Sequence, residues 1–214
     1  GSANSLVVTS IVNVTAVNDP PVISSGAILA YSEQGGATVI SSGLTLMDSD
    51  SISLTGASVS IGNFVAGDIL SFINTANITG HFDSATGLLT LTGTDTVANY
   101  QAALRSIKFN STSDDPTANN TKPSRTITFT ANDGALTASA TATINITAAN
   151  NAPIVTAGSS LTYAENGAAT VIDNTIVIND ADDTELAGAA ISIGNFVTGD
   201  ILSFANTANI TGSY

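Results

Sequence analysis

The feature that most limits what this chain can fold into is an internal repeat: Ala57–Gly80 returns at Ala189–Gly212 with 20 of 24 positions identical. YSEQGGATVI at residues 31–40 likewise returns as YAENGAATVI at 163–172, and both pairs are offset by 132 residues. The N-terminus obeys the same offset, because SIVNVTAVN at 10–18 aligns with ATINITAAN at 142–150. One period without insertions means one structural unit used again. Residues 18–149 therefore read as one complete copy, and 150–214 as the N-terminal part of a next copy that stops just under halfway. Residues 3–17 read as the final strand of a preceding copy, with Gly1-Ser2 as a cloning scar.

Within the complete copy, period-2 runs bounded by Gly, Asn, Asp and Pro predict strands at 28–32, 44–47, 58–62, 68–72, 88–92, 106–109, 125–130 and 136–147. In the last run Ala138, Ala140, Ala142, Ile144 and Ile146 alternate with polar residues, giving one apolar and one polar face. Thr96–Leu104 is the one helical turn, with Val97, Tyr100 and Leu104 on one side, and 110–123 is a polar loop containing Asp114-Asp115-Pro116. Val, Ile and Thr are abundant while Glu, Lys and Arg are scarce, which favours strands over helices. Short strands with regular turn signals predict an all-β, two-sheet sandwich.

Seventeen acidic residues face four basic ones, a formal charge of −13, and the basic four (Arg105, Lys108, Lys122, Arg125) share one short stretch. Such a chain repels phosphate backbones and anionic lipid, so nucleic acid and membrane surfaces are excluded as partners. Carboxylates without amines suit cations, although net charge alone serves solubility equally well. The chain has no cysteine and His81 is its only histidine, so disulfides and zinc sites are excluded too. No apolar run reaches the ~18 residues of a membrane span.

Three motifs then fall in a recognisable order. Asn18-Asp19-Pro20-Pro21 precedes the first strand, and Asn150-Asn151-Ala152-Pro153 holds that place in the next copy. Tyr31-Ser32-Glu33-Gln34 and Tyr163-Ala164-Glu165-Asn166 are followed by Asp48-Ser49-Asp50 and Asp180-Ala181-Asp182. Ala131-Asn132-Asp133-Gly134 precedes the terminal strand. This set resembles cadherin domains, and is more similar still to the cadherin-like repeats of giant secreted bacterial adhesins. The resemblance implies tandem Greek-key sandwiches of the immunoglobulin or cadherin type, with calcium at the seams between copies. Its pattern would use Asn18, Asp48, Asp50 and Asp133, with Asp19, at one seam. At the next it would use Glu33 from the domain before, then Asn150, Asp180 and Asp182. The Leu-Asp-Arg-Glu motif of cadherins is absent and Asn151 replaces Asp19 in the second linker, which lowers the expected count to one or two ions per seam.

Calcium takes about six to eight hard oxygens, and an Asp-x-Asp pair at a strand end aims two carboxylates into one loop. Asp68, Asp83, Asp114, Asp115 and Asp200 read instead as solvated turn residues, as do Asp19-Pro20 and Asp115-Pro116 as plain turn chemistry. His81, replaced by Ser213 in the next copy, reads as a surface residue. The expected function is a calcium-stiffened extender of an extracellular or cell-surface bacterial adhesin, serving adhesion or biofilm attachment. Its partners would be neighbouring copies, with head-to-tail self-association through the partial copy and the orphan strand. A calcium-dependent carbohydrate-binding module is the alternative, weakened by the absence of Trp. An enzyme is not expected, since nothing builds a catalytic pocket.

Overall fold

The computed structural model describes residues 3, 4 and 6–214; Gly1 and Ser2, read above as a cloning scar, lie outside the described residues, as does Ser5. Two compact units result, residues 1–149 and 150–214. In chain order the first carries β1 (Val22–Ser24), β2 (Ile28–Ser32), β3 (Thr38–Val39), β4 (Thr45–Met47), β5 (Ser53–Gly62), β6 (Asp68–Ser71), β7 (Thr79–Asp83), β8 (Leu88–Thr96), α1 (Val97–Ser106), β9 (Lys108–Ser111), β10 (Ser124–Asn132) and β11 (Thr137–Thr147). The fold is mostly β, with one helix among the described residues. That helix is too short to cross a membrane.

A six-stranded sheet runs in the order β2-β11-β10-β5-β8-β7, a three-stranded sheet in the order β3-β9-β6, and β1 pairs with β4. Every pairing is antiparallel except β2 with β11, which is parallel. The alternation read in the sequence is visible in β11, where Ala142, Ile144 and Ile146 are buried and the residues between them are not. These join Leu54, Val59, Leu91, Ile127 and Phe129 from the same sheet, and Leu70 and Phe109 from the three-stranded one, in a single core. Tyr31 on β2 meets Phe109 on β9 edge to face, 5.0 Å between ring centres, so the two sheets share that contact.

The helix begins one residue later and ends two later than the sequence pattern predicts. Thr96 is its N-cap, accepting from the Asn99 amide, and Tyr100, Ala103 and Leu104 face the core. The Tyr100 hydroxyl donates to the Gly93 carbonyl. Gly93 is obligatory at its position: its φ is +122°, and a Cβ there would lie 1.9 Å from the Asn77 carbonyl oxygen. Strands β1, β3 and β7, two to five residues long, have no counterpart among the predicted ones.

Asp68 is a correction. Expected to be a solvated turn residue, it is only 1% exposed, and Arg125 is fully buried against it. Arg125 Nε donates to Asp68 Oδ2 at 2.5 Å and Nη2 to Oδ1 at 3.3 Å. The remaining guanidinium donors reach the Lys122 carbonyl at 2.7 Å and the Pro116 carbonyl at 2.5 Å. The 112–123 loop is thus strapped down through one side chain, helped by Lys122 Nζ on the Phe64 carbonyl at 2.9 Å. A forked pair with its other donors satisfied tolerates burial; either partner alone does not.

In the second unit β12 (Ile154–Thr156) pairs with β13 (Val177–Asn179), Ile154 opposite Asn179, which is the β1–β4 register moved by 132 residues. Turn bonds recur as well: Val197 donates to Asp200 as Val65 does to Asp68, and Ile210 to Thr207 as Ile78 does to Thr75. The sheets do not recur. Residues 185–194, the counterpart of β5, form no strand, and Tyr163 is 56% exposed where Tyr31 is 2% exposed. Counterparts of β8 to β11 are not among residues 150–214, so the strands have nothing to pair with. Of residues 3–17, expected as a final strand, those that are described likewise carry no strand and are exposed.

Asp68→Ala lowers the unfolding free energy of the first unit by about 3–5 kcal/mol, because Arg125 is left buried and uncompensated. Asp200→Ala, the same substitution in the next copy, stays within about 0.5 kcal/mol; urea denaturation of the two variants checks the contrast.

Candidate metal centre

The loop from β4 to β5 carries Asp48-Ser49-Asp50-Ser51. Asp48 Oδ1 folds back onto the chain, accepting from the Asp50 amide at 3.2 Å and the Ser51 amide at 2.8 Å, an Asx turn that fixes the carboxylate. Its other oxygen, Oδ2, is buried and takes no hydrogen bond. The entering chain lies alongside: the Asp19 amide donates to Asp50 Oδ2 at 3.0 Å, and Ser49 Oγ to Asp19 Oδ2 at 3.4 Å. From the β10–β11 hairpin comes Asp133, whose Oδ2 accepts from Asn18 Nδ2 at 2.9 Å. Five of the residues singled out in the sequence, Asn18, Asp19, Asp48, Asp50 and Asp133, thus stand in one linked group. No Lys or Arg takes part in these bonds; Arg105, Lys122 and Arg125 hold the Leu44, Phe64 and Pro116 carbonyls elsewhere.

The same loop in the second unit repeats the arrangement. The Asn151 amide donates to Asp182 Oδ2 at 3.0 Å, and Asp180 Oδ1 accepts from the Asp182 and Asp183 amides at 3.3 and 3.2 Å. Here the buried oxygen without a hydrogen bond is Asp182 Oδ1. Asp180, Asp182 and Asp183 bring carboxylate oxygens within 4.8 Å of one another, which no other acidic trio among the described residues does. Asp183 was not singled out from the sequence. Its repeat counterpart is Ser51, so a search for acids recurring in register passes over it, although Asp182-Asp183 is plain in the chain.

Of the remaining two ligand candidates, Asn150 adjoins Asn151, which is tied to the second loop, and Glu33 stands apart from both loops. Asn150 Nδ2 donates to the Asn151 carbonyl at 2.8 Å. Glu33 belongs to the first unit; it is buried just past β2, where Oε2 accepts from the Ala149 amide at 2.8 Å and its own amide donates to the Thr147 carbonyl at 2.9 Å. It closes the end of the β2–β11 pair.

An all-oxygen set of carboxylates and Asn, in loops whose backbone is already fixed by Asx turns, matches the ligand chemistry of a hard divalent cation. A buried carboxylate oxygen without a donor is costly unless something positive meets it, and each of the two loops contains one. Asp133 is held below the ordinary carboxylate range, chiefly by the Leu136 amide, then by Asn18 and the Ala135 amide. A group whose folded pKa is depressed stabilises the fold above its unfolded value and loses that contribution as pH falls through the folded one. Asn18→Ala therefore moves the Asp133 midpoint up toward 3.8, without fully reaching it, as followed by carboxyl-carbon NMR titration. No family model matches the chain and no curated protein does, so the identity of this centre rests on its geometry.

Proposed function

We propose that the chain is an extender segment of an extracellular bacterial adhesin, built of tandem cadherin-like Greek-key sandwiches, each binding calcium at its own Asp-x-Asp loop. The observation that carries this reading is the pair of buried carboxylate oxygens, Asp48 Oδ2 and Asp182 Oδ1, in the same loop of successive copies and both without a hydrogen bond. The motif order in the sequence and the −13 charge support it.

In the first copy Asp48 and Asp50, with Asn18, Asp19 and Asp133, would supply the oxygens; in the second Asp180, Asp182 and Asp183 would, with Asn150. Glu33, given a seam role by the family resemblance, lies where β2 and β11 end. Bound calcium offsets the mutual repulsion of these acids. The chain's own residues do the rest: the Asx turns preset the loop, and the Asp19–Asp50 and Asn18–Asp133 bonds tie the incoming linker to it. Ligand that binds only the ordered loop stabilises it in proportion to its occupancy. Copies repeated in tandem are suited to carrying an adhesive tip away from a cell and to biofilm attachment.

At about 10 mM calcium and a dissociation constant of about 0.5 mM, one site adds about 1.8 kcal/mol, or roughly 5 °C in the melting temperature of the first unit. The melt in chelator lacks this increment, and Asp48→Ala/Asp50→Ala removes it. Identical melts of the unsubstituted chain with calcium and with chelator would overturn the reading.

A further inference from the structure

We infer that one carboxylate of the proposed calcium loop has two interchangeable sources, the linker at residue 19 and the loop at residue 51, and that the copies use different ones: Asp19 in the first and Asp183, the counterpart of Ser51, in the second. This deepens the calcium reading above and rests on it, and it decides which part of the chain each site depends on.

Three positions of the linker and loop change together between the copies. Asp19 becomes Asn151, Ser49 becomes Ala181 and Ser51 becomes Asp183, while Asp48 and Asp50 are kept as Asp180 and Asp182. Each copy thus has three carboxylates over these positions: Asp19, Asp48 and Asp50 in the first, Asp180, Asp182 and Asp183 in the second. The geometry links the changes to one another. In the first copy the Asp19 carboxylate is held to the loop by the Ser49 hydroxyl, Oγ to Oδ2 at 3.4 Å. Asn151 brings no carboxylate, and Ala181 has no hydroxyl to hold one.

The backbone around the exchange is shared. The Ser51 amide donates to Asp48 Oδ1 at 2.8 Å and the Asp183 amide to Asp180 Oδ1 at 3.2 Å, so residues 51 and 183 leave the same turn. The linkers match as well, with the Asp19 amide on Asp50 Oδ2 and the Asn151 amide on Asp182 Oδ2, each at 3.0 Å. On this common backbone the source of the third carboxylate is what differs. From position 183 it comes within 4.8 Å of the oxygens of Asp180 and Asp182. Each loop also keeps one buried carboxylate oxygen without a hydrogen bond, so the demand for a cation is the same in both.

Ligand charge and number set the affinity of an oxygen site for calcium, so a loop that loses its linker acid keeps its affinity only by gaining another. The position of that acid matters as much as the count. A carboxylate carried by the linker reaches the ion only while the linker lies against the loop, which makes filling the first site and seating residues 18–19 reciprocal. A carboxylate at 183 belongs to the loop and is present wherever the linker goes.

Calcium chloride is titrated into the full chain and its variants, and the backbone amides of residues 50–51 and 182–183 are followed by NMR, so that each loop reports its own dissociation constant. Asp19→Asn raises the constant of the first loop about tenfold and leaves the second unmoved. Asp19→Asn/Ser51→Asp, which gives the first loop the acids of the second, returns it to within about threefold of the unsubstituted chain. Asp19→Asn/Ile52→Asp restores the same net charge one residue along and does not rescue. An unchanged constant in Asp19→Asn, no rescue by Ser51→Asp, or equal rescue by Ile52→Asp overturns the exchange while the calcium reading stands. Amides of both loops that fail to move with calcium overturn both.

Discussion

β5 is hydrogen-bonded along both edges, to β10 on one side and β8 on the other, and most of the first unit is arranged around that closure. A strand in the middle of a sheet leaves no backbone donor or acceptor unpaired, and its apolar side can then be covered. The second unit shows how much depends on it. Residues 189–194 differ from 57–62 at only two positions, yet they form no strand where 57–62 lie in the middle of one. Bonds spanning three to six residues persist in both copies, such as Gly80 to Asn74 and Gly212 to Asn206. What separates the copies is the set of partners far along the chain.

The chain treats its carboxylates in two opposite ways. Asp68 is removed from water and matched by a guanidinium whose other donors are spent on carbonyls, so the pair is self-contained. The acids of the β4–β5 loop and its repeat have backbone amides as partners, and Asp133 beside the first has an Asn as well, but none has a basic side chain as a partner among the described residues. Amide donors orient a carboxylate without cancelling its charge. The first arrangement is complete as protein; the second has oxygens already pointed and charge still to be balanced.

Much of the first unit could be read before its structure was known, and the limits have physical causes. The long alternation at 136–147 and the shorter ones at 125–130 and 28–32 lie in β11, β10 and β2 because one face of each meets the core. The helix was legible from Val97, Tyr100 and Leu104, though its last turn, held by Arg105 on the Leu44 carbonyl, depends on a residue 61 positions away. Asp68 looked like any loop acid because nothing near it announces Arg125, fifty-seven residues on. In the acidic loops, recurrence pointed to Asp48, Asp50, Asp180 and Asp182, and the same criterion hid Asp183, whose counterpart is a serine.

The parallel pairing of β2 with β11 has a mechanical consequence. The chain enters the first unit ahead of β2 and leaves it after β11, and the two strands point the same way. Tension between the entry and the exit draws them in opposite directions along their own axes. The five register positions that join them then carry the load together, in shear, instead of opening one by one like a zip.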